Sequence, residues 1–179
     1  VNFSQVYLHN WAAGGQSTLS LITKFDYTWE YGYRNLAWDS EVHSALGLLH
    51  RADEGVLQKT DDRIEGATKL GLRATESGFA TIMASFRSQF APGYPLVNGM
   101  PDRTNRTSNI LSPGYFVLAA GMDYKNGPHD FTLFLAPFTY KVTWVLDKGL
   151  SEAGAFGVTP GERSRRELGG YLKLGWKTP

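Results

Sequence analysis

The sequence predicts an all-β fold, built as an antiparallel up-and-down barrel of about eight strands. Three observations lead to this prediction. Apolar and polar residues alternate along most of the chain, no segment shows a convincing helical period, and the connections between the alternating stretches are short and long in turn. No linker-like change in composition divides the chain, so residues 1–179 are treated as a single domain.

The clearest strand is "STLSLITKFDYTWEY" at residues 17–31. Its odd positions are almost all large and apolar, and they are aromatic from Phe25 onward, whereas its even positions include Lys24, Asp26 and Glu30. A period of two residues is typical of a strand with one apolar and one polar face. This segment is also long for a strand of a water-soluble protein.

The same period recurs in the other predicted strands, at residues 1–9, 36–48, 64–73, 80–90, 116–124, 131–146 and 168–176. The run at 131–146 is apolar on both faces where it begins. Pro137 interrupts it and predicts a bulge or bend, because proline cannot donate a ladder hydrogen bond.

The predicted connections are sorted by length. Residues 10–17, 50–59, 91–112 and 147–166 form long connections, and residues 31–35, 73–78 and 125–130 form short ones. In a meander, alternate connections lie at the same end of the sheet, so all long loops are expected at one end. This asymmetry is typical of outer-membrane barrels.

Size decides which face points outward. The interior of an eight-stranded barrel is just wide enough for side chains to fill, and the apolar face is too bulky for it. We therefore expect the apolar face to contact lipid and the polar face to line the lumen. The predicted lumen charge network consists of Lys24, Asp26, Glu30, Asp39, Glu41, Arg63, Glu65, Lys69, Arg73 and Arg87, joined by Lys141. These charges either pair and plug the lumen or line a water-filled channel.

Aromatic residues cluster near the ends of the predicted strands, as expected where amphipathic rings meet the two surfaces of a bilayer. The predicted aromatic girdle consists of Trp11, Trp29, Tyr31, Trp38, Tyr124, Trp144 and Trp176. The fold class is therefore a transmembrane β-barrel. A soluble antiparallel barrel or sandwich is the alternative.

Composition and motifs give few signs of chemistry. The net charge of +1 argues against a nucleic-acid partner, and the lack of cysteine excludes thiolate sites and disulfides. No catalytic, phosphate-loop or metal motif is present in the sequence, so we expect no cofactor or metal and no enzymatic activity. An enzyme with His43, His50 or Asp62 at the barrel rim is the remaining catalytic alternative. The pair Asp61–Asp62 is expected to cap a turn and to form an ion pair with Arg63.

Arginines on the long loops are candidate contacts for the phosphates of lipopolysaccharide, since a guanidinium matches phosphate with two hydrogen bonds. These residues are Arg103, Arg106, Arg163, Arg165 and Arg166. A solvated loop surface is the alternative interpretation.

The order of several motifs resembles one family. The motifs are "SQVYLHNWAAGGQSTLSL" (4–21), "QKTDDRIEGATKLGLRA" (58–74), "SFRSQFAPGY" (85–94), "NILSPGYFVLAAGMDY" (109–124), "FLAPFTYKVTWVLDKGLSEAGAFGV" (134–158) and "ELGGYLKLGW" (167–176). They are similar to the Bacteroidota outer-membrane barrel proteins of domain of unknown function number 3078. The resemblance implies a barrel in the outer membrane of a Gram-negative bacterium, and it implies no activity.

The expected function is a structural or accessory role, as a subunit of a larger cell-envelope assembly. The expected partners are membrane lipid, lipopolysaccharide and other outer-membrane or periplasmic proteins. A porin-like passive pore for small solutes and the rim enzyme are the alternatives. The barrel is expected to close by pairing of residues 1–9 with 166–177, or else through further strands beyond residue 179 or a partner chain.

Overall fold

A computed structural model describes residues 2–6, 17–51, 55–126 and 131–176. The fold is all-β, as predicted, and eight strands form one antiparallel sheet. They follow one another across the sheet in chain order, except that a small separate hairpin intervenes between the fifth and the sixth of them. The described residues contain ten strands, which are β1 Asn2–Val6, β2 Thr18–Tyr33, β3 Leu36–Arg51, β4 Val56–Arg73, β5 Gly78–Ser88, β6 Leu96–Val97, β7 Met100–Pro101, β8 Gly114–Asn126, β9 Phe131–Trp144 and β10 Ser164–Trp176. Strands β6 and β7 form a separate small hairpin.

The lengths of the connections are confirmed in part. Long connections at 89–113 and 145–163 lie at one end of the sheet, and short ones at 34–35 and 74–77 lie at the other. The prediction of a long loop at 50–59 is wrong, because β3 reaches Arg51 and β4 begins at Val56. The ladder between them continues past a bulge next to Gly47. The predicted loops 10–17 and 125–130 fall largely outside the described residues.

The sheet has two chemically different faces. Cross-strand partners lie on the same side, so the registers place Tyr27, Val42 and Leu118 on one face and Asp39, Lys69 and Asp123 on the other. We call the first the outer face and the second the inner face. The sheet curls around its inner face, since Glu30 of β2 and Lys173 of β10 line the same cavity of about 210 Å³.

Pro137 lies at a bulge, as predicted. The ladders on both sides of β9 shift register there, between Ala120 and Met122 on β8 and between Gly169 and Tyr171 on β10. Because β9 carries one extra residue at this point, its backbone bulges toward β8. Gly121 lies opposite, where there is no room for a side chain.

A barrel closed by pairing of residues 1–9 with 166–177 is not observed. Within the described residues the sheet is open, with β1 and β10 as its edges. Strand β1 has five residues and pairs only with Thr18–Ile22, so most of β2 has no neighbour on that side in this part of the chain. The described chain therefore holds an eight-stranded curled sheet with two edges available for pairing.

The long-loop end carries its own small core. After β9 the chain forms the helix α1 (Lys148–Glu152) and a 3₁₀ turn (Ala155–Gly157). Val145, Leu150 and Val158 are buried together beneath them. The loop 89–113 is also ordered, because β6 and β7 form a hairpin with positive φ at Asn98 and Gly99 in its tight turn.

Candidate functional site

The inner face holds a network of paired charges. Arg87 Nε lies 3.2 Å from a carboxylate oxygen of Glu65 on the neighbouring strand, and Lys125 Nζ lies 3.2 Å from Asp39. His43 Nδ1 lies 2.8 Å from Asp26, and its Nε2 lies 3.7 Å from Glu41. These pairs link β2, β3, β4, β5 and β8, so most of the predicted lumen residues share one surface.

The best-buried pair joins Lys69 and Asp123. Their charged atoms are 2.7 Å apart, and the Asp123 side chain is only 5% exposed. The ammonium of Lys69 also lies 4.8 Å from the centre of the Phe134 ring, within the range of a cation–π contact. Phe134 is buried with Met83, Ala119 and Ala136, and this cluster fills the middle of the inner face.

Three predicted members of the network have no ion-pair partner within the described residues. Lys24, Glu30 and Arg63 lie on the inner face and form no ion pair within the described residues, although Glu30 and Lys69 line the same cavity. Arg73 instead donates to the carbonyl of Glu76 and lies over the Phe79 ring.

Two acids of the network, Asp123 and Glu167, were missed in the sequence. Glu167 pairs with Lys141 at 3.3 Å and with Arg165 at 2.9 Å. Both acids occupy polar positions of a period-two stretch, so the alternation alone could have assigned them to the inner face.

The outer face is apolar and open. Among the described strand residues, Lys59, Asp62 and Arg166 are the only Asp, Glu, Lys or Arg side chains on it, and all three lie at the long-loop end. Its exposed fractions are high on β10, where Leu168 is 86% and Trp176 is 77% exposed. This face therefore presents a wide apolar surface, and its charged strand residues are confined to the long-loop end.

The predicted girdle residues divide between the two ends of the sheet. Trp29, Tyr31, Trp38, Tyr124 and Trp176 lie on the outer face toward the short-turn end. The rings of Trp29 and Trp38 are 4.6 Å apart, and Trp176 is the cross-strand partner of Phe131. Trp144 lies at the long-loop end, against Phe116. Trp11 falls outside the described residues.

The residues of the hypothetical rim enzyme are not assembled into a site. His43 contacts Asp26 and Glu41 on the inner face, whereas His50 lies in the ladder between Leu19 and Leu57. Asp62 accepts hydrogen bonds from the backbone amides of Phe90 and Ala91 and from Lys59. The expected ion pair with Arg63 is therefore wrong, because Asp62 lies on the opposite side of the strand and holds the end of β5. The described residues contain no group of three or more His, Asp or Glu side chains arranged to hold a metal ion.

The five loop arginines do not form one surface. Arg106 is paired with Asp147, and Arg103 lines a cavity of about 470 Å³ together with Tyr94. Arg163, Arg165 and Arg166 line a separate open basin, and the last two belong to β10 rather than to a loop.

Asp147 joins the two long connections. One of its carboxylate oxygens caps α1 by accepting from the Leu150 amide, and the other accepts from Arg106 and from Asn109. Burial alone would raise the pKa of the Asp147 carboxyl, but the hydrogen bonds from Arg106, Asn109 and Leu150 outweigh it and lower that pKa below its ordinary value.

We predict that acid loosens the contact between the two long connections. A group whose folded-state pKa is lowered stabilises the fold above its unfolded pKa, which is about 4 for Asp, and this stabilisation is lost as the pH falls through the folded pKa. The protection of the amides of residues 104–111 and 146–154, measured relative to the intrinsic exchange rate at each pH, should therefore fall below about pH 4. In the Asp147→Asn variant the same amides should exchange fast already at neutral pH, because loss of the charged contact lowers the free energy of local opening by about 2 kcal/mol.

The control for this measurement is Asp102→Asn. Hydrogen bonds from Thr104 and Asn105 lower the pKa of Asp102, but these contacts are confined to its own turn. Exchange at 146–154 should not change in this variant. Equal acceleration there by both variants would contradict a specific role for Asp147.

The fold and its surfaces define a class of protein: an antiparallel curled sheet with a charged inner face, an apolar outer face and ordered loops at one end. Residues 3–94 match the family described as protein of unknown function (DUF3078), so the chain belongs to that family. No curated protein and no solved structure matches it. Within the described residues, no helix is both long enough and apolar enough to cross a membrane.

Proposed function

We propose that this chain forms the wall of a β-barrel in the outer membrane of a Gram-negative bacterium of the Bacteroidota. In this proposal it has a structural or accessory role, without catalysis, in a larger cell-envelope assembly. The observation that carries the proposal is the separation of charge between the faces. Every Asp, Glu, Lys and Arg of the described strands points inward except at the long-loop end, while the outer face is apolar and exposed.

The dimensions of the outer face support this proposal. On β10, the stretch from Leu168 to Trp176 contains nine residues, and a strand needs about 9–11 residues to cross the hydrocarbon core of a bilayer. Arg166 precedes this stretch at the long-loop end, and the short-turn aromatic residues lie at its other end. Charge and aromatic rings therefore occur at the heights where the bilayer surfaces would lie.

The few polar groups on the outer face also suit lipid. The Trp38 indole donates to the hydroxyl of Thr68 at 2.8 Å, and the hydroxyl of Ser40 lies 2.7 Å from the same oxygen. Thr68 is close to the Asp39 carbonyl as well. Groups that pair with one another in this way avoid the cost of unpaired polar atoms in hydrocarbon.

The test is insertion into a bilayer. We expect the purified chain, refolded with phosphatidylcholine vesicles, to float with them and to resist extraction at alkaline pH. Polarised infrared spectra should show strands tilted by about 40° from the membrane normal. A folded chain that stays in the aqueous fraction would contradict the proposal.

The curled sheet does not close within the described residues, so the proposal requires that its edges find partners. Unpaired backbone groups in lipid cost several kcal/mol each. The edge residues of β10 and the part of β2 beyond Ile22 are the positions where further strands or a partner protein would pair. This requirement supports a place in a larger assembly.

A passive pore is the second candidate. It is favoured by the open space on the inner face, where Glu41, His43, Glu65, Arg87 and Lys141 are among the residues that line a cavity of about 400 Å³. Conductance across a planar bilayer separates the two candidates, because a purely structural wall gives none.

A further inference from the structure

The basin beside β10 is a second feature of the long-loop end with its own chemistry. It is an open depression of about 650 Å³, and its lining consists of Gly157, Thr159, Glu162, Arg163, Ser164, Arg165 and Arg166. Three arginines face one glutamate, so the lining carries an excess of positive charge. Two hydroxyl side chains add neutral donors.

The backbone around this basin is fixed in place. Ser151 donates its hydroxyl to the carbonyl of Glu162 at 2.8 Å and accepts from the Gly161 amide through its backbone carbonyl at 2.9 Å. The Val145 amide donates to the carbonyl of Arg163 at 2.8 Å, next to the buried core of this end. The arginines therefore project from an ordered frame, which reduces the entropy lost when a ligand binds.

The three guanidinium groups differ in the number of partners that they bind within the protein. Arg165 donates to the carbonyl of Gly157 at 3.2 Å and to the carboxylate of Glu167 at 2.9 Å. The guanidinium groups of Arg163 and Arg166 have no hydrogen-bond or ion-pair partner within the described residues, and both side chains are exposed. Two forked donors are thus available for an anion, and phosphate is the anion whose geometry they match with paired hydrogen bonds.

An apolar groove lies on the outer face directly below. Leu118, Ala120, Pro137, Phe138, Thr139, Tyr140, Leu168 and Gly169 line this groove, which has a volume of about 490 Å³. Phe138, next to the bulge at Pro137, is 78% exposed on the outer face, and Leu168 borders the groove from β10. Arg166 lies on the same face as Leu168 and two residues above it, a distance of about 7 Å along the strand.

We propose that the basin and the groove together form a binding site for one phosphate-bearing lipid. Arg163 and Arg166 hold the headgroup phosphate, and an acyl chain occupies the groove between Phe138 and Leu168. The proposal rests on the proposed membrane location, because that location puts Arg166 at the level of the headgroups and the groove in the hydrocarbon. It adds a specific lipid contact to a wall that would otherwise touch lipid only non-specifically.

The test uses the detergent-solubilised chain and short-chain phosphatidic acid, with binding measured by titration calorimetry. Arg163→Gln combined with Arg166→Gln should weaken binding about tenfold or more, because two charge-assisted contacts are lost. Leu168→Asn should weaken it several-fold through the groove alone. Arg103→Gln is the matched control on the other long loop, and it should bind like the unmodified chain.

Two further ligands identify the source of the phosphate. Inorganic phosphate should bind far more weakly than phosphatidic acid, and Leu168→Asn should not affect it; equal affinity would overturn the lipid site in favour of a free-phosphate site. Short-chain diacylglycerol should not bind measurably, and binding equal to that of phosphatidic acid would overturn the role of the arginines.

Vesicle flotation of the double arginine variant separates this inference from the proposed function. Flotation equal to that of the unmodified chain, together with weakened lipid binding, supports the site. If the unmodified chain does not float, the proposed membrane location is wrong. If only the double variant fails to float, the arginines contribute to membrane insertion in general, and the proposal of a specific lipid site is overturned.

Discussion

Tyr27→Arg should prevent stable insertion of the sheet into a bilayer. Tyr27 lies on the outer face near the middle of β2, with Phe25 and Trp29 on the same side. An arginine on the lipid face near the bilayer midplane costs about 3 kcal/mol, so the folded fraction in vesicles should fall sharply. The measurement is the urea midpoint for unfolding from phosphatidylcholine vesicles, followed by tryptophan fluorescence.

The matched control is Thr28→Arg. Thr28 is the next residue of the same strand, is also exposed, and faces inward, where it lines the cavity that contains Glu30 and Asp39. A cation there meets acids rather than lipid, so the midpoint should change little. If both variants lower the midpoint by the same amount, the outer face does not contact lipid and the proposed function is wrong.

The sequence was sufficient for the faces of the sheet. Alternation alone placed Asp39, Glu65 and Lys69 on one side and Leu70, Ile82 and Leu118 on the other, as the registers confirm. This was possible because successive side chains of a strand point to opposite faces. Once one residue is assigned to a face, the faces of the other residues follow up to the next bulge. The count of about eight strands in the sheet followed from the same pattern.

The partners within the polar face were harder to predict. Lys69 reaches across β5 to Asp123, more than fifty residues away, and Asp62 binds Lys59 rather than the adjacent Arg63. Such contacts depend on strand stagger, on the curl of the sheet and on bulges, and hydrophobic alternation records none of these. The hairpin in the loop 89–113 did have a local signal, the dipeptide Asn98–Gly99, which favours a tight turn with positive φ.

Closure of the sheet could not be predicted either. The sequence pattern extends the first strand to residue 9, and the structure describes Asn2–Val6 of this segment, with residues 7–9 outside the described part. Whether two edges pair is decided by strand length and stagger around the whole sheet. The chain therefore contains the curled sheet, and its closure into a barrel depends on which strands pair with Thr23–Tyr33 and with β10.

Gly121→Ala should disrupt the centre of the sheet. A Cβ atom at Gly121 would lie 2.5 Å from the Cα of Ala136 and closer still to the carbonyl oxygen of Leu135. Both are backbone atoms of the bulged strand β9, so neither can move aside as a flexible side chain would. We expect a loss of about 3 kcal/mol in the free energy of unfolding, at the upper end of the cost of overpacking. Urea unfolding in detergent measures it.

Gly169→Ala is the matched control, because Gly169 faces β9 from the other side of the same bulge. No atom lies within 4 Å of a Cβ built there, so the added methyl group should leave stability unchanged or raise it slightly. The bulge at Pro137 also lies in the lining of the outer groove, next to Phe138, so Gly121→Ala should weaken binding of short-chain phosphatidic acid as well. A Gly121→Ala protein as stable as Gly169→Ala would mean that β8 and β9 are not packed closely at Pro137, and the groove would then lose its structural basis.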